Sequence, residues 1–146
     1  GAEKYDAGEA EQTIIHVPVR GAWELANLIP TGKRLPIGDL AALSSGMPLA
    51  GRMFDNVFTD LVYEERRATT SLTSLALGCT LTQTFDDTFR HAIVYTPPHR
   101  EAICMEPYTA LPNPLNLEAA GIETGWRMLA PDETYRTRIV IALREG

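Results

Sequence analysis

The feature that most constrains this sequence is a series of short segments in which apolar and polar residues alternate. β-Branched and aromatic residues dominate them, as in residues 11–19 (EQTIIHVPV) and 56–64 (NVFTDLVYE). A period of two places successive side chains on opposite faces of a strand. Helix signals are scarce in the same chain, so the pattern predicts an all-β fold, an antiparallel β-sandwich.

Further strands are predicted on the same grounds. They are residues 69–78 (TTSLTSLALG), 79–85 (CTLTQTF), 90–96 (RHAIVYT), 101–107 (EAICMEP) and 135–144 (YRTRIVIALR). Gly78 marks a bulge or bend, and the turn PPHR makes its two flanking strands a hairpin or adjacent strands. In the last strand, Tyr135, Thr137, Ile139, Ile141 and Leu143 are expected to share one face.

The connections between these strands are long. Residues 64–67 (EERR) are typical of a solvated hairpin tip, and Asn113-Pro114 before LNLEAAG predicts one or two helical turns. Residues 26–54, 107–118 and 121–134 are predicted to be irregular. Loops of this length are usually functional or packed across a sheet.

Length and charge exclude several classes of function. The 146 residues suit one domain, residues 1–146. The net charge of −6 argues against a nucleic-acid partner, and no apolar run approaches the roughly 20 residues of a membrane span. Cys79 and Cys104 have no CxxC spacing, so both are predicted to be reduced and buried, in a cytoplasmic protein.

The motif search leaves few candidates for chemistry. The chain has neither a P-loop nor GxGxxG, so nucleotide binding has no support. His16, His91 and His99 lack metal-ligand spacing, no cysteine pairs with them, and we expect no zinc site. Each histidine is better explained as an ordinary strand or turn residue.

Two carboxylates have apolar or constrained neighbours. Glu106 follows the apolar run 102–105 and precedes Pro107, which biases Glu106 to an extended backbone. Partial desolvation beside Tyr108 is expected to raise the pKa of Glu106 towards the range useful for proton transfer. Asp55 lies between Phe54 and the start of a strand. The alternatives are that Glu106 is the first polar residue of a loop and that Asp55 is ordinary turn chemistry.

Four segments resemble a known family. NLIPTGKRLPI (27–37), RMFDNVFTDL (52–61), AIVYTPPHREAICMEPYTALPNPLNL (92–117) and GWRMLAPDETYRTRIVI (125–141) occur in the order found in aldose 1-epimerases, the galactose mutarotase-like family. The resemblance runs from about Gln12 to the C-terminus. It implies a β-sandwich of the supersandwich type, with sugar bound in an open cleft on one sheet. Asp132 stands at a turn position where members of the family usually have a glycine.

The resemblance also implies an activity, the interconversion of the α and β anomers of an aldose. Glu106 resembles the general base, Asp55 resembles the aspartate that hydrogen-bonds sugar hydroxyls, and Tyr108 is a candidate to flank the sugar. No cofactor or metal is implied. The acid histidine is expected from an N-terminal half that this chain lacks, so the chain is expected to be the C-terminal part of the domain. That half, or a second copy, would complete the sheet.

Two other interpretations remain open at this point. One is a non-catalytic carbohydrate-binding protein of the same fold. The other is a purely structural β-domain in which Glu106 forms an ion pair with an arginine such as Arg100.

Overall fold

The computed structural model describes residues 12–99 and 101–145. Its strands, in chain order, are β1 (Thr13–His16), β2 (Val19–Ala26), β3 (Ile29–Leu35), β4 (Met47–Pro48), β5 (Asp55–Leu61), β6 (Arg67–Ser74), β7 (Cys79–Asp86), β8 (His91–Tyr95), β9 (Cys104–Tyr108) and β10 (Ile139–Glu145). A 3₁₀ helix spans Gly38–Ser44, and an α-helix, α1, spans Pro114–Ala119.

The strands form two five-stranded antiparallel sheets. Sheet A has the order β10-β7-β6-β1-β4, and sheet B has the order β3-β2-β5-β8-β9. Between the inner faces of the sheets lies a core whose fully buried side chains include Phe54, Phe58, Phe85, Ile15 and Leu43. Two packed antiparallel sheets are a β-sandwich, so the predicted fold class is confirmed.

A second apolar cluster lies on the outer face of sheet B, away from this core. Val57 of β5 and Ile93 of β8 are directly opposed, so their side chains lie on one face. Leu111 and Leu117 pack against this face, and Leu117 belongs to α1. Both residues lie in 109–126, which we name the covering segment. It confirms the expectation that a long connection packs across a sheet.

Several local predictions are confirmed. β6 and β7 form a hairpin whose turn contains Gly78 at a φ of 58°, and β8 and β9 are adjacent antiparallel strands. Glu64 and Arg67 form an isolated bridge that closes the EERR tip. The short helix begins at Pro114 as predicted. Asp132 has a φ of 66°, so it adopts the left-handed conformation in place of a glycine.

Four predictions about boundaries and burial are wrong. The strand predicted over residues 11–19 is two strands in different sheets, because the chain changes sheets at Pro18. Residues 26–54 contain β3, the 3₁₀ helix and β4. The last strand begins at Ile139, since residues 135–138 do not pair with β7. The two cysteines are free but half-buried, since each is the first residue of its strand and lies at an end of its sheet.

One edge of the sandwich carries exposed apolar side chains. β10 is an edge strand of sheet A, and Ile141, Leu143 and Leu77 are 66%, 67% and 73% exposed. Leu143, Leu81 and Leu72 are opposed across three strands, so they share the face on which Leu72 contacts the core. An edge strand presents unpaired backbone groups to which a further strand can add. This edge therefore offers backbone and apolar surface to another strand.

Candidate functional site

Glu106 lies inside β9, the outermost strand of sheet B on that side. Its side chain is half-buried and is directly opposed to that of Ile93, on the outer face of the sheet. The strand continues to Tyr108, so the alternative that Glu106 is the first residue of a loop is wrong. Pro107 lacks a backbone N–H, and an edge strand tolerates this.

Asp55 is the first residue of β5, and its side chain is exposed. Its neighbour Phe54 is buried in the core and is fixed by two hydrogen bonds. The Phe54 N–H donates to Thr96 Oγ1 at 3.2 Å, and the Thr96 N–H donates to the Phe54 carbonyl at 2.8 Å. Asp55 is directly opposed to Tyr95, so it also lies on the outer face of sheet B. Asp55 thus begins a strand, so the alternative that it is ordinary turn chemistry is wrong.

The structure brings the two predicted carboxylates to one face of one sheet. Asp55 on β5 and Glu106 on β9 flank β8, so the axes of their strands are about 10 Å apart. Neither residue lines any of five of the larger cavities in the part of the chain that the structure describes. The candidate site is therefore an open sheet face, with β8 as its floor.

Tyr95 is the exposed part of that floor, because the covering segment packs on Ile93. Tyr95 is directly opposed to Asp55 on one side and to Cys104 on the other, and it is 37% exposed. Tyr95 was not among the residues predicted from the sequence. The alternation of Ile93 and Tyr95 is visible in the segment IVYT. The position of Tyr95 between the strands of the two carboxylates depends on strand pairing, which no local pattern reveals.

Tyr108 lies beside Glu106 on the same face, directly opposed to His91. Burial raises the pKa of the Tyr108 hydroxyl, and the neighbouring Glu106 carboxylate adds to this effect. Tyr108 therefore lies close to Glu106 on the face that carries the candidate site.

The covering segment forms one wall of the site, and Thr124 fixes it to the sheet. Thr124 is fully buried, and its carbonyl accepts hydrogen bonds from the Leu111 N–H and from His91 Nε2, both at 3.0 Å. The backbone N–H and hydroxyl of Thr124 both donate to Glu118 Oε1, and these bonds hold the pKa of Glu118 below its usual value. A side chain at Gly125 would place its Cβ 2.4 Å from the Thr109 carbonyl oxygen, so this close approach requires glycine.

No histidine of the chain is placed to act as an acid beside Glu106. His91 is buried, and its pKa is lowered to about 4, chiefly by burial, so the ring is neutral near pH 7. Its Nε2–H is engaged by the Thr124 carbonyl. His16 belongs to sheet A, where its Nε2 lies 3.2 Å from the Ser44 carbonyl oxygen. His99 lies in the turn after β8 and contacts Glu101.

A second cluster of polar side chains on sheet B, which includes Arg34 and Asp60, was not predicted from the sequence. The Arg34 guanidinium lies over the ring of Trp23, 4.9 Å from its centroid, and forms an ion pair with Asp60. Asp60 has a φ of 54°, which is uncommon for a residue with a side chain. These residues and His91 line a cavity of about 530 Å³. Its cations Arg34 and Arg90 are both paired with carboxylates.

The described residues contain neither a candidate metal site nor a candidate membrane-spanning helix. No cluster of three or more histidine, cysteine, aspartate or glutamate side chains in residues 12–99 and 101–145 could hold a metal ion. No helix in these residues has the length and apolarity that a membrane span needs. Arg100 lies outside the described residues, so an ion pair between it and Glu106 is not described.

The fold resembles that of a solved protein. A galactose mutarotase-like protein from Clostridium acetobutylicum, with a crystal structure at 1.80 Å resolution, matches 94% of this chain with a TM-score of 0.79. The two sequences are 14% identical, and the match covers 43% of the solved chain. No family model matches the sequence. The predicted mutarotase-like fold is thus confirmed, and this chain spans less than half the length of the solved protein.

Proposed function

We propose that this chain is the base-bearing part of an aldose 1-epimerase. One observation carries the proposal: Asp55 and Glu106 lie on the same open face of sheet B and flank β8. A sugar lying over β8 can contact both carboxylates at once. The motif resemblance assigns these same two residues to sugar binding and to proton transfer, and the fold is that of a mutarotase-like protein.

The proposed reaction needs only proton transfers and a rotation. The Glu106 carboxylate takes the proton from the anomeric hydroxyl of the sugar while an acid donates a proton to the ring oxygen. The bond between C1 and the ring oxygen breaks, which gives the open-chain aldehyde. Rotation about the C1–C2 bond presents the other face of the carbonyl, and closure of the ring returns both protons. Asp55 accepts hydrogen bonds from sugar hydroxyls and fixes the orientation of the ring.

Tyr108 supports the role of Glu106 in this scheme. A general base must lie within hydrogen-bond reach of the proton that it takes, and its side chain must be held there. Tyr108 is two positions from Glu106 on β9 and on the same face, so its hydroxyl is placed to restrain the Glu106 carboxylate. The sequence prediction that Tyr108 flanks the sugar is thereby refined to a role in positioning the base.

The acid is proposed to come from outside this chain. His91 is neutral and bonded to Thr124, His16 belongs to sheet A, and His99 is engaged with Glu101 in the turn after β8. The exposed apolar edge at β10 can accept further strands, and the rest of the same β-sandwich is the proposed occupant. A second copy of the chain is the alternative occupant.

The lack of a suitable histidine in this chain also favours a second candidate function. A sugar-binding protein of the same fold would keep Asp55 and the aromatic floor, yet it would not interconvert anomers. Calorimetric titration with glucose separates the two functions when it is combined with polarimetry. Binding without faster mutarotation would support the binding protein.

Polarimetry of the intact protein tests the proposed activity. The optical rotation of freshly dissolved α-glucose or α-galactose should decay faster with the protein than without it. Glu106→Gln removes the base and should abolish the acceleration, whereas Glu101→Gln, an exposed carboxylate outside the site, should leave it unchanged. A fully active Glu106→Gln variant would end the proposal.

A further inference from the structure

We propose that the ring of Tyr95 is the surface on which the sugar stacks. This inference rests on the proposed function and adds a residue to it. Tyr95 lies on β8 directly opposite Asp55, and Ile93, two residues earlier, lies directly opposite Glu106. All four side chains share the outer face of sheet B. A ligand that contacts both carboxylates must therefore lie over β8.

The exposure of Tyr95 distinguishes it from the residues around it. The covering segment packs on Val57 and Ile93 through Leu111 and Leu117. Tyr95 is 37% exposed, so the cover ends before it reaches the Tyr95 ring. The structure thus leaves an aromatic side chain accessible on the floor of the site.

The other aromatic side chains of this face are already engaged. Trp23 is 7% exposed, and the Arg34 guanidinium covers its ring. Tyr108 is half-buried and lies beside Glu106 on the same strand. Within the described residues, no hydrogen bond or ion pair occupies the Tyr95 side chain. Tyr95 is therefore the aromatic residue on the described strands of this face that is available for stacking.

The chemistry of a pyranose fits this arrangement. Its ring faces carry C–H groups, and its edges carry hydroxyls. Laying one face on an aromatic ring removes apolar surface from water, while the hydroxyls remain free to bond at the edges. Ligand sites commonly combine an aromatic lining with a few convergent polar groups. Here Asp55 would bond one edge, and Glu106 would face the anomeric hydroxyl at the other.

Steady-state kinetics of the intact protein test the inference. Tyr95→Ala should raise the KM for glucose about tenfold and leave kcat nearly unchanged, because stacking contributes to substrate and transition state alike. Tyr95→Phe should retain the wild-type KM, because the ring and not the hydroxyl makes the contact. Tyr135→Ala removes a tyrosine that lies outside the strands and packs on Arg127, and it serves as the control.

The kinetic outcomes separate this inference from the proposed function. If Glu106→Gln abolishes activity and Tyr95→Ala has the wild-type KM, stacking is wrong and the activity stands. If Tyr95→Phe is as impaired as Tyr95→Ala, the hydroxyl is responsible and stacking is also wrong. If the wild-type protein has no activity, the proposed function fails first.

Cysteine labelling gives a readout that does not depend on catalysis. Cys104 is directly opposed to Tyr95 and is half-buried, whereas Cys79 lies in sheet A and provides an internal control. Saturating glucose should slow alkylation of Cys104 by iodoacetamide at least severalfold and leave the rate at Cys79 unchanged. Tyr95→Ala should remove the protection at the same glucose concentration. Unprotected Cys104 in the wild-type protein, under conditions where titration shows bound glucose, would overturn the inference.

Discussion

Asp55 and Glu106 lie on the same face of sheet B, on two strands separated only by β8. They are 51 positions apart in the sequence, and only the pairing of β5, β8 and β9 brings them together. The covering segment closes one side of this face and leaves Tyr95 exposed. The arrangement accounts for the proposed sugar site, whose acid is proposed to come from outside this chain.

Asp55→Asn should weaken sugar binding more than it slows the chemical step. The amide is a poorer acceptor than the carboxylate, so hydrogen bonds from sugar hydroxyls lose strength in both the ground and transition states. We expect KM to rise about tenfold, since a hydrogen bond to a charged group contributes about 1.5–3 kcal/mol. Asp39→Asn, an exposed residue of the 3₁₀ helix, is the control. Equal KM values for the two variants would contradict the role of Asp55.

The stability of the chain should fall between pH 6.5 and pH 4 because of His91. Its folded pKa of about 4 is below the ordinary value of 6.5, so the unfolded state binds the proton more readily. The contribution of neutral His91 to the free energy of unfolding is complete above pH 6.5. It is lost as the pH falls from 6.5 to 4, and the loss amounts to at most about 3 kcal/mol. Urea unfolding at pH 7 and pH 5 measures it. His91→Gln should reduce the difference between the two pH values, and an unchanged difference would contradict this explanation.

Gly21→Ala should destabilise the protein through the Arg34–Asp60 pair. A Cβ at this position would lie 2.7 Å from Asp60 Oδ2 and 2.8 Å from Arg34 Nη2. We expect a loss of about 1 kcal/mol or less in the free energy of unfolding, because both atoms end exposed side chains that can move aside at the cost of their ion pair. Asp60→Ala removes one of the crowded atoms, so Gly21→Ala should cost less in that background. Additive effects in the double variant would show that the crowding does not act through Asp60.

Ile141→Lys tests whether the exposed edge at β10 is covered in the intact protein. Burial of an unpaired charge is strongly destabilising, so a covered edge predicts a loss of about 3 kcal/mol or more. Leu28→Lys alters a similarly exposed side chain in the β2–β3 turn and should cost less than about 0.5 kcal/mol. Denaturant unfolding of the intact protein compares them. A loss at Ile141 no larger than that at Leu28 would mean that the edge stays open.

The sequence predicted most strands because their alternation is strong. β6, β7 and β8 carry β-branched and aromatic residues at the right period, and turn residues separate them. β3 was missed because Pro30 and Gly32 weaken its propensity, and it is a strand only through its pairing with β2. The change of sheet at Pro18 is likewise a tertiary feature.

The site was predictable only in part. Glu106 and Asp55 stood out through their apolar neighbours and through the motif resemblance. Tyr95 did not, because its position opposite Asp55 depends on the register of two strands that are distant in sequence. The anchoring of the covering segment through His91 and Thr124 spans 33 positions, and no local pattern indicates it.

A crystal structure of the intact protein with glucose tests the central claim most directly. The Glu106→Gln variant would prevent ring opening and trap the bound pyranose. We predict that the ring lies over Tyr95 and that Asp55 accepts a hydrogen bond from a sugar hydroxyl. The anomeric hydroxyl should lie about 2.6–3.2 Å from the side chain at position 106, the reach of a general base. A glucose bound away from the outer face of β8, with its anomeric hydroxyl out of reach of position 106, would contradict the account.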